Sequence, residues 1–417
     1  MEVAFIVAAS PGEARSVGRA QRRTPWGSRG AAAALRPCEG AFAPRSPNSP
    51  LLQFLGWREE HPQARRPESR HLLRMLGPMS ARADVIGKKR CLVIGGTRFS
   101  GVYLVKALGD LGHEVVLYNR GNRQVQPIPG EPDTEFAARL ASTSTIVGDR
   151  TKPDEVQEKL AKEEFDAIYD MNGRELADTK PFADMYAGRL EHYVYMSSAG
   201  VYKKSPVMPH VEGDECDPKS RHKGKRDTEE YLDEKGLPWT AIRPTYIYGP
   251  LNYNPIESWF FSRIAEDRPI CIPGDGAHLT GLGHVSDLAN AFAAVLGSKR
   301  VIGQVYNIQD RKAVTFDGMA RLCARAAGKD PDSLRIVHYD PSKVDLGKAK
   351  AFPFRPQHFF TSVNKALSEL DWKVEYDLIN GLRDSYENDF RKRQQEGRVE
   401  RDFSTDDIIL SQSLVRA

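Results

Sequence analysis

The chain has 417 residues, 40% of them hydrophobic and 28% charged, a balance that suits two to three folded domain lengths and excludes a largely disordered protein. No stretch approaches the ~20 apolar residues of a membrane-spanning helix, and the five cysteines (Cys38, Cys91, Cys216, Cys271, Cys323) form no CxxC pair, which argues against a disulfide framework or a cysteine zinc site. The net charge of +4 is unevenly spread: residues 1–83 carry 13 Arg and 6 Glu with no Lys or Asp, a local +7 that leaves −3 for the rest, so nucleic-acid binding by the body would need a local patch.

Residues 1–83 are rich in Ala, Pro, Ser and Arg. Their short apolar start, Val3–Ala9, has no basic region before it, so a secretory signal fits poorly. An Arg-rich, Ser-containing, acid-poor leader reads as an organellar transit peptide; the alternative is a true start at Met75 or Met79. Such a segment buries too little apolar surface to fold alone.

The body opens with a short buried strand, Cys91–Ile94, followed by Gly95, Gly96, Thr97, Arg98, Phe99, Ser100 and Gly101. Helical spacing (Val102, Leu104, Val105, Leu108, Leu111) leads to a second strand, Glu114–Tyr118. Strand, glycine turn, helix, strand is the pattern that lets a backbone approach a pyrophosphate at a helix N-terminus. Two details depart from an NAD site. Arg98 stands where a middle glycine is usual, and the second strand ends in Tyr118-Asn119-Arg120 with no carboxylate for a ribose 2′-OH. The residues Gly95, Gly96, Thr97, Arg98, Phe99, Gly101, Asn119, Arg120 and, after the third strand, Asp149 are the candidate cofactor contacts, and Arg120 favours NADP over NAD. The alternative is a general anion site at Arg98 and Arg120.

Alternation continues through strands at Thr145–Val147, Ala167–Asp170, Tyr193–Ser197 and Trp239–Arg243. Helices are expected at Asp154–Lys162, Glu175–Gly188 and Asp227–Lys235. Repeated βα units predict a doubly wound parallel α/β sheet with ligands at the carboxyl ends of its strands. Residues 84–245 are expected to form this Rossmann-type domain. Residues 246–390 are expected to form a smaller lobe, with helices at Phe316–Ala327 and Asn364–Leu370 and one segment returning to the sheet. A charged tail is expected at 391–417.

The glycine turn, Ser197-Ser198-Ala199-Gly200-Val201-Tyr202, Arg243-Pro244-Thr245-Tyr246-Ile247-Tyr248-Gly249-Pro250 and His284-Val285-Ser286-Asp287-Leu288-Ala289 together resemble the extended short-chain dehydrogenase/reductase superfamily, epimerase/dehydratase branch. Active members of that superfamily use a Ser or Thr, a Tyr that transfers the proton, and a Lys four residues later that lowers the phenol's pKa. Ser198 and Lys225 fit the first and last places; the Tyr place falls on Arg221, and an Arg does not donate a proton near neutral pH. His222 is an acid/base candidate displaced by one residue. Ordinary epimerase or reductase chemistry is therefore not expected.

Six of the eight residues 219–226 are Lys, Arg or His, on a body of negative net charge. Lys203 and Lys204 follow the strand that bears Ser198. Phosphate contacts of this kind dominate affinity for nucleic acid, so Lys203, Lys204, Lys219, Arg221, His222, Lys223 and Arg226 are RNA-contact candidates; the alternative is an ordinary solvated loop. The stretch Lys348–Phe360 also mixes cations with aromatics, but its phenylalanines are expected in the core.

Narrower segments resemble the chloroplast stem-loop-binding protein family, b-type branch. They are Gly95-Gly96-Thr97-Arg98-Phe99, Asn172-Gly173-Arg174-Glu175, Asp217–Lys225, Tyr246–Pro255, Ala351-Phe352-Pro353-Phe354-Arg355 and the ending Asp402-Phe403-Ser404-Thr405-Asp406-Asp407. The resemblance implies a plastid protein, in the stroma or peripheral to thylakoid or plastoglobule. It implies binding of stem-loop and ribosomal RNA, support of RNA processing, association with ribosomes, and oligomers with related members. It also implies a divalent-metal (Mg) dependent endoribonuclease activity, for which no motif assigns residues. Asp149, Asp170 and Asp287 lie near strand ends without metal-ligand spacing, and read better as caps, hydrogen-bond partners or cofactor contacts. The rival readings are an active NADP-dependent sugar-nucleotide enzyme and a scaffold whose nucleotide site is only structural.

Overall fold

In a computed structural model, which describes residues 87–399 and 401–414, the βα alternation closes into one parallel sheet. The leader expected at 1–83 lies outside the described residues. The first six strands are β1 (Arg90–Ile94), β2 (Glu114–Asn119), β3 (Thr143–Val147), β4 (Ala167–Asp170), β5 (His192–Met196) and β6 (Trp239–Pro244). The crossover helices are α1 (Ser100–Asp110), α2 (Asp133–Ala141), α3 (Pro153–Leu160), α4 (Leu176–Tyr186) and α5 (Lys223–Glu234). A smaller lobe follows, with β7 (Tyr246–Tyr248), α6 (Ile256–Ala265), β8 (Ile270–Pro273), β9 (Leu279–Thr280) and β10 (Leu282–His284), after which α7 (Val285–Ala294) packs back against the main sheet. The chain then returns to the sheet as β11 (Gln304–Ile308), which pairs in parallel with β6. The sheet order is β11-β6-β5-β4-β1-β2-β3.

Strand chemistry explains the layering. Side chains alternate across a strand, so Cys91 and Val93 of β1 enter one core with α1 and α7, while Leu92 and Ile94 enter the opposite core with α4 and α5 residues such as Phe182, Tyr186 and Leu232. Both faces are covered, hence the unbroken apolar runs. Strand order reverses between β1 and β4, where Ile94 lies in register with Asp170. A crevice at such a reversal is the usual ligand position in this kind of sheet.

The lobe adds β12 (Val314–Thr315), α8 (Phe316–Ala326), β13 (Ile336–Tyr339) and α10 (Leu378–Ser385), whereas α9 (Asn364–Glu369) buries Ala366 in the core of the main sheet. The core of the lobe is aromatic: Phe260, Phe316, Phe352 and Phe354 pack at ring distances of 4.8–6.0 Å. The segment beyond 390, expected as a charged tail, instead contains α11 (Arg391–Gln395) and α12 (Ser404–Leu414). Buried Ile409 joins Cys271, Tyr339 and Ala351, and Asp406 pairs with Arg263, so this ending has both an apolar and an ionic reason to dock.

Candidate functional site

The turn after β1 is shaped by close backbone approach. Gly95 has φ +95°, and a Cβ on Gly101 would lie 2.1 Å from the Gly95 carbonyl oxygen, so no other residue fits there. Phe99 is buried at φ 39° and leads directly into α1. The N-terminus of α1 therefore opens on this turn, as a pyrophosphate requires. Arg98, at the atypical position, stacks over the exposed ring of Tyr253 at 4.0 Å, and Phe99 meets the same ring edge-on. At the ribose edge, Asn119 accepts from the Gly121 N–H (2.8 Å), and Arg120 is exposed. Asp149 accepts from the backbone and hydroxyl of Thr151, and these bonds hold its carboxyl below the usual range.

At the end of β4, Asp170 is fully buried. Its carboxylate accepts from Arg150 at both oxygens (2.8 and 2.9 Å), from the Thr179 hydroxyl (2.7 Å) and from the Gly173 N–H (3.0 Å). Burial pushes its pKa up, but the Arg150 charge and these bonds outweigh it, and the net shift is downward. Gly173, held by this network, accepts in turn from the Lys225 ammonium (3.0 Å), which also reaches the Met196 carbonyl (2.6 Å). Burial pulls Lys225 down to about 8. Thus β4, β5 and α5 converge on one ammonium at the mouth of the crevice.

Ser198 accepts from the Gly200 N–H (3.0 Å). Arg221, where the superfamily resemblance expects the proton-transferring phenol, is exposed and donates from Nε to His222 Nε2 (3.2 Å). His222 is the residue before α5, and burial followed by four neighbouring cations brings its pKa to about 4. The basic segment 219–226 is not one loop. Helix α5 starts at Lys223, four residues before the expected Asp227, because the i,i+4 pairs Lys223–Asp227 (2.5 Å) and Arg226–Glu230 (3.0 Å) support its first turns. Arg226 also approaches buried Glu229 (3.3 Å), and Lys203 pairs with Glu215 (2.9 Å). Lys204, Lys219 and Arg221 are exposed without a carboxylate partner among the described residues.

Asp287 accepts from the backbone N–H groups of Glu375 and Tyr376, yet burial pushes it up to about 7. Among the described residues no group of three or more His, Cys, Asp or Glu is placed to hold a metal ion. Three of the four phenylalanines of Lys348–Phe360, Phe352, Phe354 and Phe359, are buried, and Phe360 is half-buried.

Two groups escaped sequence reasoning. Arg355 reaches the Gly200 turn from the far lobe, and only its place in a basic stretch hinted at it. Glu257 is buried on α6, where Oε1 accepts from the Gly249 N–H (3.1 Å) and Oε2 has no hydrogen-bond partner among the described residues. Burial pushes Glu257 up to about 7. A raised carboxyl keeps its proton in the folded state while the unfolded chain ionises near 4.5, so stability falls as pH rises between these values. Glu257→Gln is expected to melt close to wild type at pH 5 and to gain on the order of 2 kcal/mol over it at pH 8. A gap that is the same at both pH values would contradict this.

Comparison with known proteins agrees with this architecture. The model of the NAD dependent epimerase/dehydratase family matches residues 91–308. The chloroplast stem-loop binding protein of 41 kDa b of Arabidopsis thaliana is 50% identical over 330 residues, covering 79% of this chain and 86% of that protein. The bifunctional UDP-glucose 4-epimerase and UDP-xylose 4-epimerase 1 of Pisum sativum is 22% identical, over 72% of this chain and 96% of its own. Among solved structures, an epimerase of Methanothermobacter thermautotrophicus superposes with a TM-score of 0.61 at 18% identity, over 77% of this chain and 97% of that one. The UDP-glucose 4-epimerase of Thermotoga maritima gives 0.59 at 18%, over 73% and 99%. At these identities the solved structures share the fold.

Proposed function

We propose, for a chain that belongs to the chloroplast stem-loop binding protein family within the NAD-dependent epimerase/dehydratase family, that its crevice binds structured RNA in the plastid in place of sugar-nucleotide chemistry. The observation that carries this reading is the charge at the former proton-transfer position. Arg221 replaces the phenol, and Lys219 and Arg221 stand exposed just before α5 with no carboxylate partner among the described residues and no acid in that helix's first turn. Cations at a helix N-terminus oppose its dipole, so the arrangement is poor for stability and good for holding phosphate. The plastid address and the stem-loop target are supported by the name of the 50% identical Arabidopsis protein. Stabilisation and processing of ribosomal RNA and association with ribosomes belong to the same proposal.

The glycine turn fits a dinucleotide. Gly95, Gly96 and Gly101 would hold the pyrophosphate and Arg120 a 2′-phosphate, which favours NADP. When bound, the nicotinamide supplies hydride chemistry, but this chain offers Arg221 and a neutral His222 where a phenol would move the proton. Restoring the phenol is not enough, because the neighbouring cations change the charge of the crevice that a sugar nucleotide would enter. Arg221→Tyr is expected to give no NADP-dependent turnover of a UDP-sugar above wild type, and robust turnover would defeat the reading. The direct test is a gel shift with stem-loop RNA alongside calorimetry with NADP and NAD in the same buffer. RNA binding with or without the cofactor supports the proposal; cofactor binding without RNA binding favours the enzyme reading.

A further inference from the structure

We propose that Arg221, His222 and Arg355 form a phosphate pocket over Gly200 that seats one backbone phosphate of the RNA; the pocket rests on the RNA reading above and gives it a defined site.

Three separate segments meet there. The Ser220 hydroxyl donates to the Gly200 carbonyl (2.7 Å) and accepts from the His222 N–H (3.1 Å), which fixes the loop on the turn at 199–201. A Cβ on Gly200 would lie 2.5 Å from His222 Cδ2 and 3.0 Å from Arg355 Nη2, so the imidazole and the guanidinium both cover the bare backbone of this glycine. Arg221 Nε donates to the imidazole from the solvent side. Arg355 is held by its main chain, whose N–H donates to the Tyr246 hydroxyl (2.9 Å), and by packing over the Phe359 ring at 4.6 Å.

The charges do not balance. Among the described residues neither Arg221 nor Arg355 has a carboxylate partner, and Lys350, on the Arg355 segment, bonds only to the Pro353 carbonyl. After burial, the Arg221 charge lowers the pKa of both Lys350 and Arg355. Like charges brought together at reduced solvation repel, and a dianionic or monoanionic oxygen cluster relieves that repulsion. The planar donor fork of Arg suits phosphate oxygens. A backbone phosphate fits better than a free nucleotide, because exposed Lys219, Lys348 and Lys350 lie on the same two segments as Arg221 and Arg355 and extend their positive charge.

Arg355→Ala separates this pocket from the rest of the RNA surface, since the bond from its main-chain N–H to Tyr246 survives the substitution. The probe is a labelled stem-loop RNA, measured by fluorescence anisotropy between about 50 and 200 mM salt, with UDP as a free-diphosphate arm by calorimetry. Arg355→Ala should melt with wild type, bind RNA about tenfold more weakly at the low-salt end, and lose about 0.7–0.9 from the salt slope. Arg355→Lys should keep the slope while losing part of the affinity, because it retains a charge without the fork. If wild type binds the stem-loop and Arg355→Ala matches it in affinity and slope, the pocket is overturned and the RNA reading stands. If wild type binds no stem-loop, the RNA reading falls as well. UDP binding that Arg355→Ala abolishes while RNA binding is unaffected would assign the site to a free nucleotide and overturn the proposal.

Discussion

Asp170→Ala is expected to cost about 3–5 kcal/mol of folding stability, because it strands the buried Arg150 guanidinium. Asp170 has no exposed surface, and it receives both terminal nitrogens of Arg150, the Thr179 hydroxyl and the Gly173 N–H. Arg150 would keep only the Asn172 side chain and the Asp178 carbonyl as partners. Asp170→Asn should fall between wild type and Ala, since it keeps the shape but loses the charge. The sign with pH is definite. The folded pKa lies below the unfolded value of about 3.9, so the contribution of Asp170 is present above that value and is lost as pH falls through the folded pKa. The gap between wild type and Asp170→Asn should therefore narrow only in strong acid. Urea melts at pH 7 and pH 3 measure it; a loss under 1 kcal/mol at pH 7 for the Ala variant would contradict the account. The effect reaches the site as well, since the Gly173 carbonyl that receives Lys225 is positioned by the same carboxylate.

Asp406→Ala is expected to release α12 at a similar cost, about 3–5 kcal/mol, felt locally rather than by the whole sheet. Asp406 and Arg263 are both buried, in contact at 2.8 Å, and burial outweighs the pairing at both ends: it pulls Arg263 down and pushes Asp406 up. Such a pair adds little over an apolar one, but half of it is costly. Arg263 would remain stacked on Trp259 at 3.6 Å with no counter-charge beyond what Asp407 gives to Arg268. Hydrogen exchange should show residues 404–414 losing protection while β1 to β6 keep theirs. Unchanged protection of α12 would refute the ionic anchor.

The sheet was legible because it repeats. Buried strands of four to six residues, glycine turns and helical spacing mark each βα unit without reference to the rest of the chain. The proposed replacement of the phenol rests on a related pattern: Ser198, Arg221 and Lys225 sit at fixed offsets from recognisable segments. What remained hidden depends on long-range contact. Helix α2, with one buried residue, Arg139, has almost no apolar face to announce it. The start of α5 was placed late because Gly224 and a run of cations read as loop, whereas Lys223–Asp227 and Arg226–Glu230 only become pairs once the helix exists. Those pairs also divide a patch that looked uniform into partnered cations and free ones. Arg355 joins His222 across the two lobes, and no local pattern encodes that meeting.

That division yields the most direct test of the central claim, that the cations at the former catalytic position hold RNA phosphates. The measurement is the salt slope of stem-loop binding for wild type and two double variants. Lys219→Ala with Arg221→Ala removes cations that have no carboxylate partner, and the slope should fall by about 1.4–1.8. Lys223→Ala with Arg226→Ala removes cations already paired to Asp227, Glu229 and Glu230, and the slope should change by less than about 0.5. The loss in the first variant should be alike for stem-loops of different sequence and equal shape, because phosphate contacts position rather than specify. A slope left at the wild-type value by the first variant would contradict the account and move the RNA site away from the crevice.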